Sequence, residues 1–496
     1  MGDAMSVTTL AGAEDRMLVD GQLVAAVTGG SYPNVNPATE EVIGHAADAS
    51  AADVDLAVGA ARRAFDETSW ATDHAFRARC IRQLAEALST HRERFREVVV
   101  AEAGCPVLLT HIVQVDQPVA DLPWWADLAD SYDWEQPLPD HEFYGSKHRR
   151  LVLKEPVGVV AAITAWNFPL YLNLAKLGPA LAAGNAVVLK PAPDTPFSGL
   201  LLGRIIAEHT DIPPGIVNVV TAADPAAGEL LTTDPRVDMI TFTGSSAVGK
   251  KIMVAASDTV KRVTLELGGK SAHIVLDDAD LASIVPLMAM GMCTHAGQGC
   301  AITTRLLVPR SRYDEAVELA AEAMAGVPFG DPTDPSNLMG PVVNARQRDR
   351  ILGLVDQAVA EGARVVTGGG RPSHLDRGFF VEPTLLADVQ PGDTIAQEEV
   401  FGPVLSVLAF DDDDDAVRIA NDSRYGLSGA VSSASEERSM AVARRLRTGT
   451  VGINGGQWFA VDSPFGGYRQ SGLGRECGVQ GFEEYLETKT LGLPGG

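Results

Sequence analysis

The sequence predicts an α/β protein with two doubly wound parallel sheets and a small additional β segment. Between residues 157 and 265, short apolar runs alternate with helical segments, and a second series of the same kind begins after Leu267. Strands that alternate with helices in this way form parallel sheets with crossover helices. Ligands of such sheets bind beyond the carboxyl ends of the strands.

The elements follow from the spacing of apolar residues. Candidate strands of the first series are 157–164, 186–189, 216–220, 239–242 and 263–265, with helices at 170–183, 198–209, 226–231 and 247–255. Candidate strands of the second series are 274–276, 305–308, 364–366, 404–408 and 450–453, with helices at 316–325, 345–361 and 416–421. Before these, a hairpin-like start precedes amphipathic helices at 54–65 and 75–99. The acidic run 411–415 is expected to cap and solvate a helix N-terminus, with a cation site as the alternative.

Charge and composition exclude several classes of partner. The 496 residues contain 40 Lys and Arg against 65 Asp and Glu, a net charge of −25, which argues against nucleic acid and anionic membrane. The uncharged stretch 156–175 contains prolines and asparagines, so a buried strand and helix explain it better than a membrane span. The acidic N-terminus lacks the apolar core of a signal peptide.

The five cysteines are scattered and odd in number, which indicates free thiols in a reducing cytoplasm. No cysteine or histidine pair has metal-ligand spacing, and no metal site is expected. Cys300 lies in the segment HAGQGC, whose small residues leave its thiol accessible to a substrate. A Cys–His pair with His295 is an alternative that sequence spacing alone does not define, and a buried inert thiol is the commoner fate of a lone cysteine.

Three further motifs place polar residues at the ends of predicted strands. Glu266 precedes two glycines and could project into a crevice, or be an ordinary surface acid. Asn167 could donate an N–H to an oxyanion, or cap a helix. Residues 244–251 nearly match a Walker A loop, but Lys251 replaces the hydroxyl residue that binds magnesium, so a phosphate contact and a structural turn both stay open.

Together these motifs closely resemble the aldehyde dehydrogenase superfamily. The resemblance runs from about residue 17 to residue 490 in the family's motif order. It rests on AWNFP (165–169), LKPA (189–192), FTGSSAVG (242–249), LELGGK (265–270), GQGC (297–300), EEVFGP (398–403) and SPFGGYRQSGLGRE (463–476).

The resemblance implies a thiol mechanism that oxidises an aldehyde to a carboxylic acid with NAD(P)+. It assigns Cys300 as nucleophile, Glu266 as the general base that hydrolyses a thioester, and Asn167 as an oxyanion-hole donor. Lys176 and Glu476 match positions of a proton path to that base. A free thiol has a pKa near ~8.5, so the surroundings must favour the thiolate.

The resemblance also implies a cofactor site. The expected cofactor contacts are Ile163, Trp166, Lys190, Gly244, Ser245, Glu399 and Phe401. NAD is the first choice. NADP stays open because Pro193 replaces a glutamate that would bind the ribose hydroxyls and repel a 2′-phosphate.

For the substrate, the resemblance implies a pocket lined by Phe168, Ala175, Trp458, Phe459 and Phe465. Ala175 stands where several members carry a large aromatic ring, so medium or aromatic aldehydes are favoured over acetaldehyde. The alternatives are a semialdehyde or betaine-aldehyde dehydrogenase and a non-catalytic NAD-binding protein. A P-loop ATPase is disfavoured by Lys251.

The same resemblance divides the chain into domains. Residues 1–131 and 154–265 are expected to form the NAD(P)-binding domain, and 266–462 the catalytic domain. Residues 132–153 and 477–496 resemble an oligomerisation extension, with 463–476 as a connecting segment. A homodimer or homotetramer follows by analogy.

Overall fold

The computed structural model describes residue 10 and residues 12–495. Most of the acidic N-terminal stretch, in which no signal peptide is expected, therefore lies outside the described residues. The first residues of the predicted first domain and Gly496 of the predicted extension also lie outside them.

The N-terminal part contains four strands followed by five helices. They are β1 (Met17–Val19), β2 (Gln22–Val24), β3 (Ser31–Val35), β4 (Val42–Ala47), α1 (Ala51–Glu67), α2 (His74–Thr90), α3 (Arg92–Ala103), α4 (Val107–Leu109) and α5 (Asp116–Ser131). A long hairpin and an alternating β/α series follow. They comprise β5 (Glu135–Phe143), β6 (Ser146–Pro156), β7 (Val159–Ile163), α6 (Pro169–Ala183), β8 (Ala186–Lys190), α7 (Phe197–His209), β9 (Val217–Val219), α8 (Ala226–Thr233), β10 (Met239–Thr243), α9 (Ser246–Ala256) and β11 (Arg262–Glu266).

A second series forms the C-terminal half. Its elements are β12 (Ser271–Val275), α10 (Leu281–Cys293), β13 (Thr303–Pro309), α11 (Tyr313–Ala325), α12 (Ala345–Ala360), β14 (Arg364–Thr367), β15 (Thr384–Ala387), α13 (Thr394–Gln397), β16 (Val404–Phe410), α14 (Asp413–Asn421), β17 (Gly429–Ser432), α15 (Glu436–Ala443) and β18 (Gly452–Ile453). The chain closes with β19 (Gly472–Leu473), α16 (Gly478–Glu483) and β20 (Leu486–Pro494).

The first sheet has the strand order β19-β11-β10-β7-β8-β9-β1-β2. The five strands from β11 to β9 are parallel, and β1, β2 and β19 pair antiparallel at the edges. Every residue of β7, β8 and β10 is buried, which is why these strands read as mainly apolar runs. The first predicted series is confirmed.

The second sheet has the order β14-β15-β16-β13-β12-β17-β18. All its pairs are parallel except β14 with β15, so one edge departs from the expected parallel arrangement. The predicted α/β class is confirmed. The sequence missed β15 and β17, which have only four residues each and no strong apolar pattern.

Two predictions about helices have different outcomes. The helix expected over 75–99 is wrong as a single element, because α2 ends at Thr90 and His91 leaves helical geometry before α3 begins. The acidic run does cap a helix: the Asp412 carboxylate accepts the N–H of Asp415 at 2.8 Å, at the start of α14.

A third sheet joins two distant parts of the chain. β6 pairs antiparallel with β5 on one side and with β20 on the other. The predicted segment 132–153 thus supplies β5 and most of β6, and the segment after residue 477 supplies β20, to one sheet; β6 extends to Pro156. No helix within the described residues is long and apolar enough to cross a bilayer.

Candidate active site

A cavity of about 430 Å³ lies between the two large sheets. The carboxyl ends of β7, β10 and β11 open onto it, as expected for ligand sites of parallel sheets. Its lining includes most of the side chains that the sequence singled out: Trp166, Asn167, Phe168, Gly244, Ser245, Glu266, Cys300, Glu399, Phe401, Trp458, Phe459, Phe465 and Glu476. Residues that are far apart in sequence therefore share one site.

Four predicted residues do not line this cavity. Lys176 is fully buried behind it, where its Nζ contacts Glu476. Ile163 and Lys190, at the ends of neighbouring strands, both approach Gly228, and a Cβ added at that glycine would lie within 4.0 Å of each side chain. Ala175 is buried within α6, and its effect on the width of the cavity stays a prediction.

The turn that carries Cys300 is tightly held. His295 and Ala296 adopt left-handed backbone conformations, and Gly297 follows with φ +69°. A Cβ at Gly297 would lie 2.1 Å from the carbonyl oxygen of Gly402, so only glycine fits there. Gln298 Oε1 then accepts the N–H of Val343 at 2.9 Å, which fixes the turn against the segment before α12.

The environment of Cys300 does not favour the thiolate. Burial raises the pKa of the Cys300 thiol, and the nearby carboxylates of Glu266, Glu399 and Glu476 raise it further. The activation of this thiol by its surroundings therefore stays a prediction.

Glu266 ends β11 with both carboxylate oxygens buried and without hydrogen-bond partners among the described residues. Burial raises the pKa of Glu266 well above its usual value, and Glu476 adds to this effect. Glu476 itself accepts a hydrogen bond of 2.5 Å from Lys176, which also donates to Thr241 at 3.1 Å. The carboxylates of Glu266 and Glu476 and the buried ammonium of Lys176 thus lie next to one another.

Asn167 connects the first sheet to the Cys300 turn. Its Nδ2 donates one hydrogen bond, to the carbonyl of Gln298 at 2.9 Å. The second hydrogen of this amide has no partner among the described residues. Its backbone carbonyl interacts with Gln114 Nε2 at 2.9 Å and with His295 Nε2 at 2.7 Å. Because burial lowers the pKa of His295 to about 4 and its ring binds this carbonyl, the Cys–His alternative has no support.

Opposite Cys300, the loop after α13 carries Glu399 and Phe401. The N–H of Gly269 donates to Glu399 Oε1 at 3.0 Å, and a Cβ at Gly268 would lie 2.1 Å from Glu399 Oε2. Burial raises the pKa of Glu399 to about 7. The ring of Phe401 meets Trp166 edge to face at 5.2 Å.

The near-Walker segment forms the start of α9. Ser245 is the N-cap residue, and its hydroxyl accepts the N–H of Val248 at 3.3 Å. Lys250 points away to Gln470, with Nζ 2.9 Å from Oε1, so it does not act as a P-loop lysine. Because Gly244 and Ser245 line the cavity, the positive end of the α9 dipole faces it.

Aromatic rings form the remaining wall. Trp458 and Phe465 stack at 5.6 Å, and Phe459 meets Tyr171 at 5.4 Å. The sequence missed Tyr171 and also Val113, Leu172, Ile302, Gln347 and Arg350, all of which line the cavity. Tyr171 lies in the first turn of α6, directly after the AWNFP motif, and this closeness in sequence to Asn167 could have indicated it.

Comparison with known proteins agrees with this geometry. The sequence model of the aldehyde dehydrogenase family matches residues 24–491. The chain belongs to the aldehyde dehydrogenase family. It is therefore an oxidoreductase that acts on an aldehyde with a nicotinamide cofactor, as the sequence predicts.

Individual members of the family match nearly the whole chain. A 3-succinoylsemialdehyde-pyridine dehydrogenase from a Pseudomonas species is 43% identical over 95% of this chain and 97% of its own length. The aldehyde dehydrogenase of Mycobacterium tuberculosis, solved with NAD+, is 42% identical with a TM-score of 0.93, covering 97% of this chain and 98% of that one. A cysteine-to-alanine variant of aldehyde dehydrogenase C from Pseudomonas syringae, solved with NAD+ and octanal, is 40% identical with a TM-score of 0.92, covering 97% and 96%.

The aldehyde dehydrogenase cavity fits a nicotinamide dinucleotide on this chain's own features. Gly268 leaves space beside the Glu399 carboxylate that any side chain would fill. The α9 N-terminus offers free amides for a phosphate group. In the described part of the chain, no group of three or more His, Cys, Asp or Glu side chains is placed to hold a metal ion.

Proposed function

We propose that this chain oxidises an aldehyde to a carboxylic acid through a thioester on Cys300, with Glu266 as the general base. The observation that carries the proposal is the shared cavity. Cys300, Glu266 and Asn167 line it together with Glu399 and the aromatic wall. A nucleophile, a separate base and an oxyanion donor are the parts that such chemistry requires.

In the first step, the ionised Cys300 sulfur bonds to the aldehyde carbon and the carbonyl electron pair moves to oxygen, which gives a thiohemiacetal oxyanion. The second amide hydrogen of Asn167 and the backbone N–H of Cys300 are the proposed oxyanion donors. Loss of one such donor typically slows catalysis by ~10²–10³. Bound NAD+ supplies the acceptor for the hydride, whose departure from carbon leaves the thioester.

In the second step, Glu266 takes a proton from water, the resulting hydroxide bonds to the thioester carbon, and the carbon–sulfur bond breaks. The acid leaves and the Cys300 thiolate is restored. A raised pKa makes the ionised carboxylate of Glu266 a stronger acceptor for this proton. Glu476 and Lys176, joined at 2.5 Å beside it, are the proposed route for the proton to leave.

For the cofactor, we assign the ribose of the nicotinamide half to Glu399, with Phe401 and Trp166 beside the ring. Lys190 and Ile163, next to α8, are assigned to the adenosine half. NAD remains the first choice, since the similar solved enzymes are NAD+ complexes. NADP stays open because Pro193 is exposed and the carboxylate of the next residue, Asp194, is bound by Asn344.

For the substrate, we propose medium-length or aromatic aldehydes. The wall of Phe168, Tyr171, Trp458, Phe459 and Phe465 favours apolar carbon chains or rings by burial. One relative is a geranial dehydrogenase of Castellaniella defragrans, 40% identical over 97% of this chain and 98% of its own length.

A betaine-type aldehyde is the second candidate, and one observation favours it. The four rings of Tyr171, Trp458, Phe459 and Phe465 contact one another, and such clusters bind quaternary ammonium groups. A betaine aldehyde dehydrogenase of Staphylococcus aureus has a TM-score of 0.95 and 34% identity over 99% of this chain and 97% of that one.

We also assign the first sheet with residues 1–131 and 154–265 to the NAD(P)-binding domain and 266–462 to the catalytic domain. The third sheet is the proposed oligomerisation surface of a homodimer or homotetramer. Every residue of β5 is exposed, including Leu138 and Phe143, which supports coverage by a second copy. The free cysteines support a cytoplasmic location.

A panel of aldehydes tests the proposal. NADH and NADPH formation is measured with octanal, benzaldehyde, betaine aldehyde, a semialdehyde and acetaldehyde, for wild type and Cys300→Ala. We expect the highest kcat/KM for octanal or benzaldehyde with NAD+ and no turnover by the variant. A highest value for acetaldehyde, or turnover by Cys300→Ala, contradicts the proposal, and a clear preference for NADP+ reverses the cofactor choice.

A further inference from the structure

The first turn of α12 connects the two halves of the cofactor cleft. Asn344 is the N-cap residue, and its Oδ1 accepts the N–H of Gln347 at 2.8 Å. Its Nδ2 donates to Asp194 Oδ1 at 2.9 Å. Asp194 follows β8 of the first sheet, whereas α12 belongs to the second series, so this hydrogen bond crosses between the two sheets.

The same helix holds the backbone of residues 399–401. Arg350 donates from Nη2 to the carbonyl of Glu399 and from Nη1 to that of Val400, both at 2.6 Å. Gln347 Nε2 donates to the carbonyl of Phe401 at 2.9 Å. All three consecutive carbonyls are thus bound by two side chains of α12.

The backbone of residues 399–401 is strained and needs hydrogen bonds from another element to stabilise it. Phe401 has φ +58°, the left-handed region that a bulky non-glycine residue rarely adopts, at a cost of ~1–3 kcal/mol. The segment also carries the Glu399 carboxylate, bound by Gly269 N–H, and the Phe401 ring, packed on Trp166. The hydrogen bonds from α12 therefore fix the backbone from which both side chains project into the cavity.

We propose that Asn344, Gln347 and Arg350 form a brace that positions Glu399 and Phe401 for hydride transfer. Gln347 and Arg350 hold the strained backbone, and Asn344 fixes the helix to Asp194 on the first sheet. These are positioning residues, which act through Glu399 and Phe401. The inference rests on the proposed cofactor role of those two residues.

The first test is Arg350→Met. We expect the single-turnover rate of NADH formation to fall about 10- to 100-fold, the loss typical of an ångström-scale misplacement of reacting groups. The Kd of NAD+, measured by calorimetry without aldehyde, should rise less than about tenfold, because the α9 and Lys190 contacts remain. The alkylation rate of Cys300 by iodoacetamide without cofactor should not change.

Two further variants separate positioning from other roles. Arg346→Met is the matched control, since Arg346 is exposed in the same turn and its side chain makes no ion pair or hydrogen bond with the described residues. It should behave as wild type. Arg350→Lys keeps the charge but not the planar fork, so we expect it to stay at least about fivefold slower than wild type.

Asn344→Ser tests the hydrogen bond between Asn344 and Asp194 separately from the N-cap of α12. Serine keeps an N-cap acceptor for α12 but has no amide to donate to Asp194. We expect slower NADH formation, by about threefold or more, with an unchanged melting temperature of the protein.

The proposed brace is contradicted if Arg350→Met forms NADH at the wild-type rate or if Arg350→Lys restores the full rate. It is also contradicted if Cys300 alkylation slows together with NADH formation. A normal rate for Asn344→Ser removes the link to Asp194. If wild type forms no NADH with any aldehyde, the proposed function fails instead, so the two failures are distinguishable.

Discussion

The Nζ of Lys176 lies 2.5 Å from Oε1 of Glu476, and both side chains are buried although they stand 300 positions apart in the sequence. The pair joins α6 to the segment before α16 and adjoins Glu266. Removing one partner of a buried ion pair leaves an uncompensated charge, which typically costs about 3–5 kcal/mol.

Glu476→Gln should therefore lower both stability and turnover. We expect the free energy of unfolding, from urea titration, to fall by about 3 kcal/mol, and thioester hydrolysis to slow because the proton leaves Glu266 less readily. The double variant Lys176→Met/Glu476→Gln should recover much of the stability but none of the hydrolysis rate. Recovery of both would show that the pair serves the fold alone.

Cys300 and Cys293 should differ sharply although they are close in sequence. Cys300 is partly exposed in the cavity, whereas Cys293 is fully buried at the end of α10. We expect Cys300→Ala to abolish NADH formation while it keeps NAD+ binding, and Cys293→Ala to retain most activity. Peptide mapping after iodoacetamide treatment should find the label on Cys300; a label mainly on Cys293 is incompatible with the site.

The raised pKa of Glu266 predicts the direction of the pH dependence. Because only the ionised carboxylate accepts a proton, hydrolysis should speed up as pH rises through this pKa. In the unfolded chain the group ionises near pH ~4.3, so its contribution to stability is present below that pH and is lost as pH rises toward the folded pKa.

Glu266→Gln should accordingly be more stable than wild type at pH 8, with a smaller difference at pH 4.5, while it loses the rising limb of hydrolysis. Thermal unfolding at both pH values measures the first effect and quenched-flow kinetics the second. A variant that is less stable at pH 8 would indicate that Glu266 is ionised and well paired in the folded protein.

Gly268 should contribute to cofactor binding. A Cβ at this position would lie 2.1 Å from Glu399 Oε2, so Gly268→Ala must displace that carboxylate. We expect NAD+ binding to weaken about tenfold, or ~1.4 kcal/mol, by calorimetry. Gly291→Ala is the control: nothing lies within 4 Å of its added methyl group, and alanine should stabilise α10 by about 0.5–1 kcal/mol.

Much of the fold is predictable because its central strands are buried on both faces. β7, β8 and β10 read as mainly apolar runs, and the alternation with helices dictates parallel pairing. The break between α2 and α3 was not predictable, since it falls at Thr90 and His91, where neither glycine nor proline marks it and the apolar spacing continues. β15 and β17 depend on pairing with neighbours that are distant in sequence.

The residues of the site likewise fall into those that the sequence predicts and those that only the fold brings together. Motif resemblance identified Cys300 and Glu266, whose place in one cavity the structure then provides. It could not identify Gln347 and Arg350, because they act on backbone carbonyls about 50 residues away. The state of the Cys300 thiol also depends on three carboxylates that only the fold brings near it.

The proposed mechanism requires that the aldehyde carbon becomes an acyl group on Cys300. Glu266→Gln should form this thioester but hydrolyse it slowly. After mixing with NAD+ and octanal and quenching in acid, intact-protein and peptide mass spectrometry should find one octanoyl group on the peptide containing Cys300, together with one equivalent of NADH. NADH formation without an acyl group on Cys300, or an acyl group on another residue, would contradict the account.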